Sequence, residues 1–391
     1  DNASVDLTIE GLGQDSLTID GGGNSRVFYI SSSTVSINSL TISGGSNSGE
    51  AGGIYARNSS NVSLVNSTVS NNSALYGAGI YANSSSVNLT SSTVSSNSAS
   101  NGGGINASHS SNVSLANSTV SNNSATLKGG GIYTRSSSSV SLANSTVSSN
   151  SATYGGGIYA YNLSSVSLVN STVSSNSATY GGGILSHTLC SVSLANSTVS
   201  SNSASFGGGG IFTLNASISL TSSAVSSNSA TYGGGLYVHA SSVSLTNSTV
   251  SNNSAYSIGG GILSNISSSV NLANSIISGN TAGTGAEIYS NGTGTLTAAH
   301  NNLFGHSSLT LGAAFTNFTP GITDINATSG GDNIALSSIL GPLADNGCQQ
   351  VAGAPSTEAC VQTHALVSGS PAIDGADEAV CLGTDQRGKP R

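Results

Sequence analysis

The sequence predicts an all-β chain, a right-handed parallel β-helix of about twelve three-strand coils with a C-terminal cap, and three observations predict it. An apolar residue follows a glycine cluster at Ile54, Ile80, Ile105, Ile132, Ile158, Ile184, Ile211, Leu236, Ile262 and Ile288, which sets a period of about 26 residues. Within each unit apolar residues alternate with period two, as at Val62 and Leu64, the mark of strands and not of helices. Turns rich in Ser, Asn and Gly separate these short runs, so each unit reads as one closed coil.

A unit contains GGIYA, then NVSLVN, then STVSNN, each the length of a short strand. Coils stacked at the strand spacing of roughly 4.8 Å pair every strand with its copies on either side, and ten marked coils make a shaft of about 48 Å. Val5, Leu7, Ile9, Leu17 and Ile19 carry the alternation toward the N-terminus. Residues 1–290 are assigned to the shaft, and 291–391, where Pro and acids appear, to the last coils and a capping region.

The columns state what the interior needs. Val62 through Val270 and Leu64 through Leu272 form two core columns, and Val69 through Ile277 a third. Three residues after the third comes Asn in every unit: Asn72, Asn97, Asn123, Asn150, Asn176, Asn202, Asn228, Asn253 and Asn280. Stacked asparagines can bond along the stack while holding the turn, so this column is read as a structural ladder. Thr68, Thr93, Thr119, Thr146, Thr172, Thr198 and Thr249 flank the third column and face out.

Composition excludes several classes. Charged residues are only 6% of 391, yet the regular Val, Ile and Leu columns rule out a disordered polar linker. No apolar run is long enough to span a bilayer, so membrane insertion is not expected. The carboxylates sit toward the two ends, with none between Ala51 and Ala286, where Arg57, Lys128 and Arg135 are the only Lys or Arg. No basic stripe suited to nucleic acid is visible. Paired carboxylates for glycoside chemistry and an acidic calcium site are both missing from the shaft. No catalytic residue, cofactor or metal is therefore expected, and the chain is read as not an enzyme.

Outward positions carry the binding hypotheses. Tyr55, Tyr81, Tyr133, Tyr159, Phe212, Tyr237 and Tyr289 recur beside the inward Ile column; they are read first as rings that cap exposed backbone and pack on one another, and second as an aromatic surface for sugars or a neighbouring shaft. Asn66, Asn117, Asn144, Asn170, Asn196 and Asn247 open Asn-Ser-Thr sequons in one column and are candidate glycosylation sites where the host has the machinery. Cys348 and Cys360 enclose a short loop and are the natural disulfide pair in an oxidising compartment. Cys190 stands alone in the shaft and is read as a buried free thiol.

GPLADNG at 341–347, THALVSGSPAIDGA at 363–376 and TDQRGKPR at 384–391 together resemble the choice-of-anchor β-helix surface proteins of prokaryotes. The repeat, VxxN followed by GGGI, is similar to the FxxN and GGAI repeats of chlamydial polymorphic outer-membrane proteins, with Val in place of Phe. These resemblances imply secretion and surface display, with no catalytic residues to carry over. The expectation is an extracellular structural or adhesive protein, associating with copies of itself into fibres. The alternative is a carbohydrate-binding or carbohydrate-active β-helix.

Overall fold

The computed structural model describes residues 6–347, 361–379 and 382–387. Cys348, Cys360 and the bridge expected between them lie outside the described residues. The chain is an all-β, right-handed parallel solenoid of about twelve coils with a period near 26 residues. Its one α-helix among the described residues is Leu311–Ala314. It divides into two compact units, Asp1–Leu168 with Thr172–Val192, and Val169–Ser171 with Ser193–Arg391.

In the first unit a full coil consists of Ile54–Arg57, Asn61–Val65 and Thr68–Ser70, followed by a fourth short strand, Ser73–Tyr76. Each strand pairs in parallel with its copy one coil on: Ile54 with Ile80, Val62 with Val87, Val69 with Val94, and Ser73 with Ser98. Ile54, Val62, Leu64 and Val69 are fully buried. Each such side chain contributes about 1.5–3 kcal/mol of apolar burial.

Polar ladders hold the corners. The backbone N–H of Asn72 donates to Oδ1 of Asn97 (3.0 Å), Asn97 to Asn123 (3.0 Å), Asn123 to Asn150 (2.9 Å) and Asn150 to Asn176 (2.9 Å). Each Nδ2 also donates to the next Oδ1 and to a carbonyl of the previous coil, Ile42 for Asn72 and a Val for the others, as Asn150 does with Asn176 and Val120 (3.0 Å each). A second corner uses serine: Ser67, Ser92 and Ser118 each donate a backbone N–H to the hydroxyl of the next coil's serine at 3.1 Å. A third runs through Ser60, Ser85, Ser111 and Ser138, and Cys190 takes a place in it, its thiol accepting from the Ser164 N–H at 3.4 Å. Cys190 is buried, and its thiol donates to the His187 carbonyl (3.1 Å).

The residue entering each ladder position adopts a left-handed turn, for example Asn66 (φ 48°), Asn117 (φ 51°) and Asn144 (φ 48°). Asn tolerates that conformation better than most residues, which by itself accounts for Asn in the sequon column. Asn66, Asn117 and Asn170 are exposed, whereas Asn144, Asn196 and Asn247 are half-buried.

The tyrosine column follows the first of its two sequence readings, with rings packed on one another, and not the open surface. Tyr55, Tyr81, Tyr133 and Tyr159 leave the outer side of their strand, but only 3–6% of each is exposed. The fourth strand and the glycine turn after it pass close over them. Gly129 (φ +61°) shows how closely: a Cβ there would lie 2.7 Å from the Tyr133 Cβ. The open aromatic surface expected from these four residues is therefore roofed. Phe212, Tyr237 and Tyr289, in the second unit, are half-buried.

In the second unit the ladders run past residue 290, Ile276 pairing with Leu303 and Leu303 with Ile325. Fully buried Phe304 packs edge-on against Phe315 and Phe318. Two ladders end on carboxylates. Asn253 donates to Asn280 (2.9 Å), and the N–H and Nδ2 of Asn280 donate to Glu287 Oε2 (3.3 and 2.6 Å), while the Gly279 N–H donates to Oε1 (2.9 Å). Ser275 donates to Asn302, whose own N–H donates to Asp324 Oδ1 (2.9 Å each). Every rung donates in the same direction, so the last rung presents uncompensated N–H groups. A side-chain oxygen that accepts them belongs there, as at the orphaned N–H groups that open a helix.

The described C-terminal residues lie against coils of this unit. Leu340–Ala344 and Thr363–Leu366 form an antiparallel pair, bringing the GPLADNG and TH segments together. Asn346 Nδ2 donates to the Thr363 carbonyl (2.7 Å), and Arg387, paired with Asp385, donates to the Asn346 carbonyl (3.1 Å). His364 Nδ1 donates to the Gly341 carbonyl (2.8 Å), which leaves Nε2 to accept from the hydroxyls of Ser226 and Ser251 (2.9 Å each). Thr198, fully buried, donates to the Gln362 carbonyl (2.7 Å).

Burial holds the His364 pKa below its ordinary 6.5. The seat is thus made for neutral imidazole: its contribution is complete above about pH 6.5 and is lost as pH falls through the lowered folded value. Asp385 and Arg387, which share the adjoining cavity, are paired with each other. Acidification is expected to lower the protection of the amides across 361–366, measured as exchange relative to the intrinsic rate at each pH. A His364→Gln chain should lack this pH dependence, and equal dependence in both would refute the assignment.

Candidate functional site

The first unit carries a continuous strip of rings and cations. Arg26 stands 4.8 Å from the Tyr55 ring and Arg57 5.9 Å from it, and Tyr55 stacks on Tyr81 at 5.2 Å. Arg135 lies 6.0 Å from both Tyr76 and Tyr133 and donates to the Tyr81 hydroxyl (3.4 Å). Tyr133 stacks on Tyr159 at 5.3 Å, and Lys128 sits 5.5 Å from Tyr161. Tyr161 meets His187 at 5.5 Å, and Tyr154 stacks on Tyr180 at 5.3 Å. Cations this close to ring faces are attracted by the ring quadrupole, more strongly where water is displaced.

Register explains the assembly. Arg57 and Arg135 each stand two residues after a column tyrosine, so both leave the strand on the side of the ring. Asn83 pairs with Arg57, Arg135 with Tyr161, and Tyr161 with His187, all in one outward column. All four Lys and Arg residues that precede Arg387 in the sequence are in this strip.

The strip is partly dry. Burial pushes Tyr133 up to about 12, with Arg135 pulling the other way, and it raises Tyr159 and Tyr55 as well. Burial lowers His187, and Lys128 lowers it further. The ring column has one gap, at Asn106, between Tyr81 and Tyr133. Asn106 is fully buried, and neither Oδ1 nor Nδ2 has a hydrogen-bond partner; the buried Nε of Arg135 has none either.

In the second unit Phe212 stacks on Tyr237 at 4.7 Å, but no Lys or Arg lies between Arg135 and Arg387 to join them. A cavity of about 430 Å³ there is lined by Asn247, Asn274, His364, Asp385 and Arg387 among others. Among the described residues no group of three or more His, Cys, Asp or Glu side chains could hold a metal ion. Among the described residues no helix is long and apolar enough to cross a membrane. The sequence named the tyrosines but not the cations beside them, although the shared offset of Arg57 and Arg135 from Tyr was a readable signal.

Residues 15–120 and 52–223 match the family model described as right handed beta helix region. The chain belongs to that family. Among solved structures, a mannuronic acid specific polysaccharide family 6 lyase enzyme from human gut microbiota is similar over 81% of this chain and 92% of that chain, at 10% identity and a TM-score of 0.26. No curated protein matches the chain.

Proposed function

We propose that this β-helix is a structural or adhesive protein displayed outside the cell, associating with copies of itself, and not an enzyme. One observation carries the reading: from Ala51 to Ala286 no coil holds a carboxylate, so the paired acids that glycosidic cleavage needs do not occur there. The acids beyond that stretch include Glu287 and Asp324, which end polar ladders, and Asp385, which pairs with Arg387. Likeness of the GPLADNG, THAL and DQRG segments to the choice-of-anchor proteins, and of the repeat to the chlamydial outer-membrane proteins, supports secretion and surface display.

Carbohydrate binding is the second reading, and the strip of tyrosines and cations favours it. An adhesive protein and a carbohydrate-binding protein are compatible; a carbohydrate-cleaving enzyme is a different claim. Polysaccharide turnover by the full chain separates them.

A further inference from the structure

We infer that the strip running from Arg57 past Arg135 to Lys128 and Tyr161 is a binding site for an anionic glycan, a sugar chain bearing carboxylate or sulfate groups. The inference deepens the adhesive reading and rests on it. Its first ground is charge. Arg57, Lys128 and Arg135 face a stretch of sequence with no acid from Ala51 to Ala286, and among the described residues none of the three forms an ion pair. Arg26, at one end, has Glu50 beside it, so the unneutralised part begins at Arg57.

The second ground is the unmet bonding at the centre of the strip. A buried donor without an acceptor costs about 1–3 kcal/mol, and Arg135 Nε and Asn106 Nδ2 are two such donors at the gap between stacked tyrosine pairs. Both atoms are themselves closed to solvent, but the Arg135 side chain as a whole is only half-buried, so a carboxylate or sulfate oxygen meets its guanidinium from the open side, next to donors that no protein group satisfies. The third ground is the surroundings. Tyr154 and Tyr29 are 37% and 55% exposed at the flank and end of the strip, and partly open rings suit the apolar faces of sugars.

Spacing chooses among polyanions. Arg57 and Arg135 are three coils apart, about 14 Å at the strand spacing. Duplex nucleic acid carries a charge for every ~1.7 Å of its axis and calls for a dense basic surface. Three cations on a chain of net charge −8 match a sparsely charged glycan better.

The test is binding of the full chain to immobilised hyaluronate, which carries a carboxylate on every second sugar, and polygalacturonate, with dextran as the neutral sugar and duplex DNA as the densely charged polyanion. The expected result is retention on the two charged glycans, release by added salt, and little retention on dextran or DNA. Arg57→Gln, Lys128→Gln and Arg135→Gln together should weaken glycan binding at least tenfold. Because Arg135 is partly buried, Arg57→Gln with Lys128→Gln is a second variant, expected to lose several-fold with an unchanged melting curve. Equal retention on dextran, tighter binding to DNA, or undiminished glycan binding by both variants would overturn the site. None of those outcomes bears on whether the chain cleaves polysaccharide, so the site and the non-enzymatic reading fail separately.

Discussion

Replacing Asn150 and Asn176 together by alanine is expected to lower the unfolding free energy by roughly 3–6 kcal/mol, the largest effect of any surface-preserving change in the first unit. The loss follows from the bonds. Without Asn150 Oδ1 the buried N–H of Asn123 has no acceptor, and without Asn176 Oδ1 the N–H of Asn150 has none. The carbonyls of Val120 and Val147 lose amide donors as well. The double variant should cost less than the two single ones summed, because each single change also breaks the shared bond from Asn150 Nδ2 to Asn176 Oδ1. Asn150→Asp should be nearly as harmful at neutral pH, since a carboxylate cannot donate to Val120 and would face Asn176 Oδ1. Thermal or denaturant unfolding checks this, and unchanged midpoints in the double variant would contradict it.

The second large effect is the pH dependence contributed by Glu287. This side chain is fully buried, and burial pushes its pKa from 4.5 up to about 8, while the N–H donors of Gly279 and Asn280 pull it down. His306, 4.0 Å away, is itself lowered by burial and offers little positive charge near neutrality. The unfolded chain releases the Glu287 proton near 4.5, whereas the folded chain keeps it to about 8. The unfolded state therefore binds fewer protons across that window. The Glu287 contribution is complete below about pH 4.5 and declines as pH rises toward 8, by on the order of 3–5 kcal/mol. Glu287→Gln should remove this slope while its amide oxygen keeps part of the ladder end. Unfolding measured across that window in both chains decides it: the same slope in each would mean that Glu287 does not change its protonation behaviour on folding.

The two effects show what a repeat discloses and what it conceals. Asn72 through Asn280 are readable as a ladder because Asn recurs at one fixed offset, and the structure buries all nine. The serine ladder through Ser67 is equally regular, and the one through Ser60 is interrupted only by Cys190 and Ala216, yet Ser fills so many outward and turn positions that no single column stands out. Glu287 is concealed for another reason. It falls where the composition changes and belongs to no column; it reaches the ladder only because the chain returns seven residues later beneath Asn280.

The tyrosine column was half legible. Alternation correctly sends Tyr55 to the side of the strand opposite Ile54, but alternation is blind to a segment that folds back over it. Ser73–Tyr76 reads as a loop because its Ser and Ala are small, and it becomes a strand through parallel pairing with its copies. That roof turns the column from an open surface into the dry backing of a strip whose exposed elements are cations and edge tyrosines.

The non-enzymatic reading is tested most directly by incubating the full chain with uronate-containing, sulfated and neutral polysaccharides and measuring new reducing ends and unsaturated products over time. The account predicts no product from any of them, including those the chain retains. Sustained release of either kind of end, at a rate proportional to protein concentration, would contradict it.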